Sequence, residues 1–131
     1  MSVHRGEIYW VEFSPVKGSE QGGLRPALVV QQDVGNLFSP TTVVAAITSS
    51  IPPKPYPFVV VLEPGEGGLR ERSTINCAQL TTIHQSGSDS RLRPPPGEQS
   101  VRPLGVLSSK RMAQVDAALK YNLGLSREIS K

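Results

Sequence analysis

The sequence changes from polar to apolar within one stretch, Gly18-Ser19-Glu20-Gln21-Gly22-Gly23-Leu24-Arg25-Pro26-Ala27-Leu28-Val29-Val30. Its first half is a Gly-rich polar connection that contributes no core residue. Its second half ends in consecutive apolar residues, which is typical of a strand buried on both faces. Pro26 lies near the start, where a missing backbone donor does least harm. The stretch therefore predicts a polar loop leading into a buried strand over residues 25–32.

Further strands are predicted on both sides of this one. The segments rich in β-branched and aromatic residues are 6–14, 42–48, 58–62, 73–83 and a short one at 104–107. Residues 6–14 carry apolar side chains on both faces, so we expect the core to cover one face and a second layer, such as a partner subunit, to cover the other. Residues 33–40 are predicted as a turn and residues 52–57 as an extended connector.

The C-terminal region predicts one helix. Ser108 or Ser109 can cap its start, and Gly124 can end it. The apolar residues at helical spacing are Met112, Val115, Leu119 and Leu123. Asp116 and Lys120 are expected to face water. The residues alone therefore predict a mainly β fold, a small bent barrel or sheet with a C-terminal α-helix against it.

Composition limits the class of protein. The chain has 131 residues, which predicts a single domain over residues 1–131, and 12 Gly plus 12 Pro favour short elements joined by tight turns. We expect no membrane span, because no apolar stretch reaches about 18 residues, and a cytoplasmic location, because residues 1–7 lack a signal-peptide core. One cysteine and two distant histidines predict neither a disulfide framework nor a metal site. No cofactor is expected.

The stretch 85–103 is atypical. Ten of its 19 residues are Pro, Gly or Ser, and its large apolar residues are Leu92 and Val101. Loops longer than about 12–15 residues are usually functional or disordered. We interpret this stretch as a mobile surface loop.

The charge is unevenly distributed along the chain. Residues 1–50 carry three basic and four acidic side chains, whereas residues 51–131 carry eleven basic and seven acidic ones, for a total of +3. A local excess of basic residues can attract a polyanion, although most weakly basic proteins bind no nucleic acid.

Motifs for nucleotide binding, zinc proteolysis or a serine nucleophile do not occur in the sequence. Cys77 lies in a predicted strand and is interpreted as a small buried side chain, and His84 as an ordinary residue at the end of a strand. What remains is Arg25 and Thr48 at the ends of two buried strands, where a guanidinium and a hydroxyl could bind a phosphate. The alternative is an Arg paired with Glu20 and a Thr chosen for its β propensity.

Several segments together resemble the MazF/PemK toxin family. They are 5–10, Pro15, 18–30, Gly35-Asn36, 45–49, and 105–125 with its Met112, Val115 and Leu119. The block Gly18-x-Glu20-Gln21-Gly22-Gly23-x-Arg25-Pro26 is the most specific part. Overall the resemblance covers residues 5–84 and 104–125, about three-quarters of the chain.

The resemblance implies a compact SH3-like barrel of the CcdB/MazF type, acting as a homodimer. It implies the toxin of a toxin–antitoxin pair, a sequence-specific and metal-independent endoribonuclease that cleaves single-stranded RNA. Arg25 and Thr48 would be the catalytic pair. Residues that would contact RNA are Ser19, Glu20, Gln21, Ser73 and Gln79. The expected partner is a MazE-like antitoxin with an acidic or amphipathic tail, whose complex with the toxin would bind DNA.

The implied reaction is attack by the RNA 2′-OH on its own phosphate, which gives a 2′,3′-cyclic phosphate and a 5′-OH. Because the nucleophile belongs to the substrate, the enzyme has to align it and stabilise charge on phosphorus. Arg25 can stabilise that charge and donate a proton, and Thr48 can position the phosphate. Arginine is a poor general base, so the base stays open, with Glu20 as a candidate.

Two departures from the family pattern stand out. Residues 85–103 form a longer stretch than the family has there, and they carry Arg91, Arg93 and Arg102. Ala78 stands where relatives often have an acidic residue, so the family's preference for particular RNA bases cannot be carried over to this chain. Two other functions stay open on the same fold: a CcdB-like protein that poisons gyrase, and a non-catalytic RNA-binding barrel, which the few aromatic residues disfavour.

Overall fold

The computed structural model describes residues 2–13 and 23–126. The strands within these ranges are β1 (Glu7–Phe13), β2 (Gly23–Val29), β3 (Thr41–Thr48), β4 (Val59–Leu62), β5 (Ser73–His84), β6 (Leu92–Arg93) and β7 (Gly105–Val106). The helices are α1 (Asp33–Phe38) and α2 (Ser109–Asn122), and a single 3₁₀ turn spans Glu66–Gly68. No helix in these two ranges is both long and apolar enough to cross a membrane.

The strands form one antiparallel sheet in the order β4-β5-β3-β2-β1-β6, with β7 also paired to β1. The pairing between β3 and β5 shifts register between Ala45 and Ile47. Such a bulge increases the local twist, and here the sheet curls into a half-barrel. The expectation of a mainly β fold with a C-terminal helix is confirmed.

Both faces of the sheet are covered by the chain itself. On one face Val115 and Ala118 of α2 pack over a cluster that includes Ile8, Leu28 and Ile47. On the other face a second buried cluster contains Val3, Tyr9, Val11, Phe13, Ala27, Val29, Val44, Ala46, Ile83 and Leu92. Buried residues therefore lie on both faces of β1, as predicted for residues 6–14. Apart from Val3, the second cluster consists of strand residues of the curled sheet, and a partner subunit over that face stays a prediction.

The C-terminal helix forms largely as predicted. The Ser108 side chain accepts a hydrogen bond from the backbone N–H of Arg111 at 3.2 Å, which caps the first turn. Gly124 follows the end with a φ of 73°, a left-handed conformation that favours glycine. Leu123, predicted at helical spacing with Met112, Val115 and Leu119, lies just past the end of the helix and is 56% exposed. Asp116 is half-exposed but accepts a hydrogen bond from Arg5.

The segment predicted as a turn over residues 33–40 contains the short helix α1 instead. Its local propensity is low, because Gly35 and Asn36 are poor helix formers. The buried side chain of Asn36 fixes the helix to residues that lie outside it. Its amide donates to the Gln31 carbonyl at 2.9 Å, and its oxygen accepts from the Thr42 hydroxyl at 2.6 Å. These tertiary contacts override propensity, and sequence patterns do not report them.

Residues 85–103, predicted as a mobile surface loop, contain β6 and are tied to β1 at both ends. β6 pairs with Trp10 and Val11 of β1. At the far end, the Leu104 N–H donates to the Ile8 carbonyl at 2.7 Å. Leu92 is buried, at 8% exposure. The stretch therefore runs along β1, and its middle part lies over one end of the sheet.

Candidate active site

A cleft of about 780 Å³ lies at the end of the sheet where β2 begins and β3 ends. Trp10 of β1 and Pro26 of β2 contribute apolar surface to it. Residues 68–71 and 73, between the 3₁₀ turn and the start of β5, form another wall. Pro95, Pro96, Glu98, Arg102 and Leu104 form a further wall. Polar and apolar surfaces therefore alternate around a single concave site.

Arg25 and Thr48 both line this cleft. Pairing between β2 and β3 runs from Val29 opposite Val44 to Ala27 opposite Ala46. Arg25 and Thr48 lie two residues further along each strand, beyond the last residue pair between β2 and β3. The antiparallel register thus brings an Arg and a Thr that are 23 positions apart in the sequence to the same end of the sheet.

Thr48 is held by its own backbone turn. Its Oγ1 accepts a hydrogen bond from the Ser50 N–H at 3.2 Å. Because that bond uses a lone pair of the oxygen, the hydroxyl proton remains available for donation to a ligand. The side chain is partly exposed, as a ligand contact requires.

The weaker RNA-contact candidates differ in position. Ser73 lines the cleft, is 5% exposed, and donates its hydroxyl proton to the Glu71 carbonyl at 2.8 Å. Gln79 lies further along β5 and is not part of the cleft lining; its Oε1 is buried without a hydrogen-bond partner among the described residues. The loop candidates Ser19, Glu20 and Gln21, with Glu20 as a possible base, lie outside the described residues.

The charges of the cleft are mixed. Arg25, Arg70 and Arg102 supply guanidinium groups, and Glu71 and Glu98 supply carboxylates. Arg102 binds Glu98 with two parallel hydrogen bonds, from Nε to Oε1 and from Nη2 to Oε2, each 2.7 Å long. The Arg102 hydrogen bonds lower the pKa of Glu98 below its ordinary value.

Other titratable candidates are outside the site. Cys77 is fully buried, and burial raises the pKa of its thiol to about 11, which confirms that it is a small core side chain and keeps it from being a thiolate nucleophile. His84 is an exposed residue at the end of β5. Within residues 2–13 and 23–126, no group of three or more His, Cys, Asp or Glu is placed to hold a metal ion.

The sequence reasoning missed two sets of cleft residues. Arg70 and Glu71 lie two to three residues before the start of β5, and their position follows from the pairing of Thr48 with Thr74 near the start of that strand. Glu98 and Arg102 come from the Pro-rich stretch. No local pattern signals their place at the cleft, because the pairing rule for charges four residues apart applies to helices and this stretch is not helical.

Arg25, Thr48 and the apolar wall suit an elongated anionic ligand with flat apolar groups. A guanidinium offers a planar set of donors for two phosphate oxygens, and the Thr hydroxyl can donate to a third. Trp10 and the prolines provide surfaces against which a base or sugar can lie. The geometry therefore fits a phosphodiester more closely than a small neutral ligand.

Comparison with known proteins agrees with this interpretation. The chain is 38% identical over 125 residues to "Endoribonuclease EndoA" of Bacillus subtilis, covering 95% of this chain and 97% of the relative. It is 39% identical over 124 residues to "Endoribonuclease MazF" of Staphylococcus epidermidis, covering 95% and 93%. The crystal structure of MazF from Deinococcus radiodurans superposes with a TM-score of 0.71 at 26% identity, covering 95% of this chain and 98% of that one.

A second group of solved structures contains antitoxins. The MazE–MazF complex of Deinococcus radiodurans matches with a TM-score of 0.66 at 26% identity, covering 96% of this chain and 99% of that one. A mycobacterial endoribonuclease in complex with its cognate antitoxin shares the fold, with a TM-score of 0.71 at 22% identity, covering 95% and 98%. The family model that matches residues 4–123 is that of the PemK-like, MazF-like toxins. The chain belongs to this family, the PemK-like, MazF-like toxins of type II toxin–antitoxin systems.

Proposed function

We propose that this chain is the toxin of a type II toxin–antitoxin pair and acts as an endoribonuclease on single-stranded RNA. The observation that carries the proposal is the placement of Arg25 and Thr48 in one cleft, at matching positions of neighbouring strands. The names of the relatives that are 38–39% identical to this chain support the same activity. Because the substrate is mRNA, we expect the protein to work in the cytoplasm, with residues 1–131 as one domain.

In the proposed reaction the RNA supplies its own nucleophile. The 2′-OH loses its proton and attacks the adjacent phosphorus, the bond to the 5′ oxygen of the next nucleotide breaks, and that oxygen takes up a proton. The products are a 2′,3′-cyclic phosphate and a 5′-OH. Since no bond to the protein forms, catalysis consists of aligning the 2′-oxygen and stabilising the charge that develops around phosphorus. No metal is required for either task.

Arg25 is assigned to charge stabilisation and to protonation of the leaving oxygen. A guanidinium is a planar cation that can hold two non-bridging oxygens at once. Thr48 is assigned to positioning the phosphate through its hydroxyl proton, because Ser50 already occupies one of its lone pairs. The general base is Glu20 or a group not yet assigned. Ser19, Gln21, Ser73 and Gln79 are proposed as weaker RNA contacts.

The proposed partners are an antitoxin of the MazE type and a second copy of the toxin. The mixed but net basic wall of the cleft suits an acidic peptide as well as an RNA strand, and a competitor for a phosphate site should resemble the phosphate chain in charge. The MazE–MazF structure of Deinococcus radiodurans supports an antitoxin as the partner.

One experiment separates this function from the two alternatives on the same fold. Purified protein is incubated with a long single-stranded RNA in EDTA, and the new ends are mapped. We expect cleavage at a short recurring sequence, and none by Arg25→Ala. Binding without cleavage would favour a non-catalytic RNA-binding barrel. Inhibition of gyrase with intact RNA would favour a CcdB-like poison, since a pure protein binder needs neither Arg25 nor Thr48.

A further inference from the structure

The wall of the cleft formed by residues 94–103 is built as a rigid turn. The Glu98 N–H donates to the Pro95 carbonyl at 2.9 Å, and Gly97 between them has a φ of 82°. Proline at the second position and a glycine with positive φ at the third define a type II turn. Pro95 is buried, and both ends of the larger stretch are fixed to β1. The backbone from which Glu98 extends toward the cleft is therefore fixed in position.

Glu98 and Arg102 are the charged residues of that wall, and they bind each other. Both line the same cleft as Arg25 and Thr48. The remaining Arg102 donor, Nη1, contacts the Pro103 carbonyl at 3.1 Å. Their side chains are 42% and 50% exposed, so water surrounds the pair and competes with it. Exposed ion pairs of this kind are weak and exchange partners readily.

The carboxylate of Glu98 meets Arg102 in the two-oxygen geometry that a phosphate would also use. Of the three guanidiniums in the cleft, Arg25 is assigned to the reacting phosphate. A single strand that fills a cleft of about 780 Å³ carries more than one phosphate, and a further guanidinium in the cleft can neutralise a neighbouring one. Arg102 is a guanidinium of the cleft that the structure shows oriented toward an oxyanion, the carboxylate of Glu98.

We propose that Arg102 is a second phosphate-binding residue of the RNA cleft and that Glu98 occupies its guanidinium until an RNA phosphate displaces it. This inference rests on the proposed function, because it assigns a further substrate contact in the same cleft. It also gives the unusual stretch a role: the stretch carries the contact, and Glu98 sets how strongly RNA of any sequence is held.

The test measures binding separately from cleavage. The probe is a fluorescently labelled, 2′-O-methylated RNA of randomised sequence, which has no attacking hydroxyl and cannot be cleaved through it. Arg102→Ala is expected to weaken binding about tenfold and to reduce the slope of log affinity against log salt by about 0.7, the value for one phosphate contact on a single strand. Glu98→Gln is expected to tighten binding severalfold, because the competing carboxylate is gone.

Arg93→Ala is the matched control. Arg93 lies in the same stretch and pairs with Glu12 on the surface, and it is not part of the cleft lining. Equal effects of Arg93→Ala and Arg102→Ala would overturn the proposal, since they would reflect net charge alone. Weaker binding by Glu98→Gln would also overturn it, because Glu98 would then be needed for RNA binding.

A cleavage assay distinguishes this inference from the proposed function. With cleavable RNA, Arg102→Ala is expected to raise KM and leave kcat within about twofold, as for a residue that contributes uniform binding. Binding that depends on Arg102 without any cleavage would overturn the proposed function alone. Cleavage with an unchanged KM in Arg102→Ala would overturn this inference alone.

Discussion

Arg25 and Thr48 lie at matching positions on adjacent antiparallel strands, each two residues beyond the last residue pair between β2 and β3, and both line one cleft. The pair that precedes them, Ala27 and Ala46, is almost completely buried. The position of the candidate catalytic residues is therefore fixed by the most buried part of the sheet. Such a foundation suits a reaction that depends on alignment.

Removing the Thr48 hydroxyl tests its assignment as a phosphate donor. Thr48→Val keeps the shape of the side chain and deletes the donor, and we expect kcat to fall about 100-fold, as for loss of one preorganised hydrogen bond to a developing oxyanion. Thr48→Ser should retain most activity. Initial rates of RNA cleavage provide the measurement.

The matched control for Thr48 is Thr82→Val, which makes the same change at an exposed position of β5 opposite Val43. It should leave the cleavage rate unchanged. A Thr48→Val protein that is as active as Thr82→Val would remove Thr48 from the mechanism.

Thr74 offers a test of stability at a neighbouring position. It pairs with Thr48 across β3 and β5, is 2% exposed, and its Oγ1 has no hydrogen-bond partner within the described part of the chain. A buried hydroxyl without a partner is destabilising, so Thr74→Val should raise the free energy of unfolding by about 1 kcal/mol and Tm by about 3–5 °C. Thermal unfolding checks this. A lower Tm would mean that the hydroxyl is satisfied in solution.

Gly105 tests the close contact between β7 and the 3₁₀ turn. A Cβ at this position would lie 2.6 Å from the carbonyl carbon of Gly67 and 2.8 Å from the backbone N of Gly68. Because backbone atoms cannot move aside as a flexible side chain can, Gly105→Ala should cost about 2–3 kcal/mol or more in denaturant unfolding.

Gly124→Ala is the comparison for Gly105, since its Cβ would enter open space and only the positive φ opposes it. Gly124→Ala should lower the free energy of unfolding by about 1 kcal/mol. An equal loss in the free energy of unfolding for Gly105→Ala and Gly124→Ala would show that the 3₁₀ turn and β7 can move apart without destabilising the fold.

Glu66 gives stability a dependence on pH. Its carboxylate accepts two hydrogen bonds from Arg111 of α2, each 2.8 Å, and one from the Glu63 N–H at 2.7 Å. The Arg111 hydrogen bonds lower the pKa of Glu66 most, from its ordinary 4.5, and the Glu63 N–H lowers it further. A lowered carboxyl pKa contributes stability above the ordinary value, and this contribution is lost as pH falls through the folded-state value.

The variant Glu66→Gln removes that titration. At pH 7 it should be less stable than the wild type by about 1 kcal/mol, and the difference should shrink as the pH falls below about 4.5. Denaturant unfolding at a series of pH values measures it. A difference that stays constant with pH would show that the carboxylate charge is not the source of the stability.

Local patterns predicted the buried strands and the helix from Ser108 to Gly124, because apolar spacing, a capping residue and a terminating glycine are properties of residues that are close in sequence. They did not predict α1, whose Asn36 is held by Gln31 and Thr42 through the folded structure. Pattern also suggested Arg25 and Thr48 as a possible anion site, and the family resemblance named them as catalytic. The wall with Glu98 and Arg102 was missed because its place over the cleft depends on the pairing of residues 92–93 with β1.

In the proposed mechanism this cleft positions an RNA phosphate for attack by the adjacent 2′-OH. The most direct measurement uses an RNA that the protein cleaves at one mapped position, and compares it with the same RNA carrying a single 2′-deoxynucleotide on the 5′ side of that position. The first RNA should yield a 2′,3′-cyclic phosphate and a 5′-OH, the second should stay intact, and Arg25→Ala should yield neither product. Continued cleavage of the 2′-deoxy RNA, with a 5′-phosphate end, would contradict this mechanism.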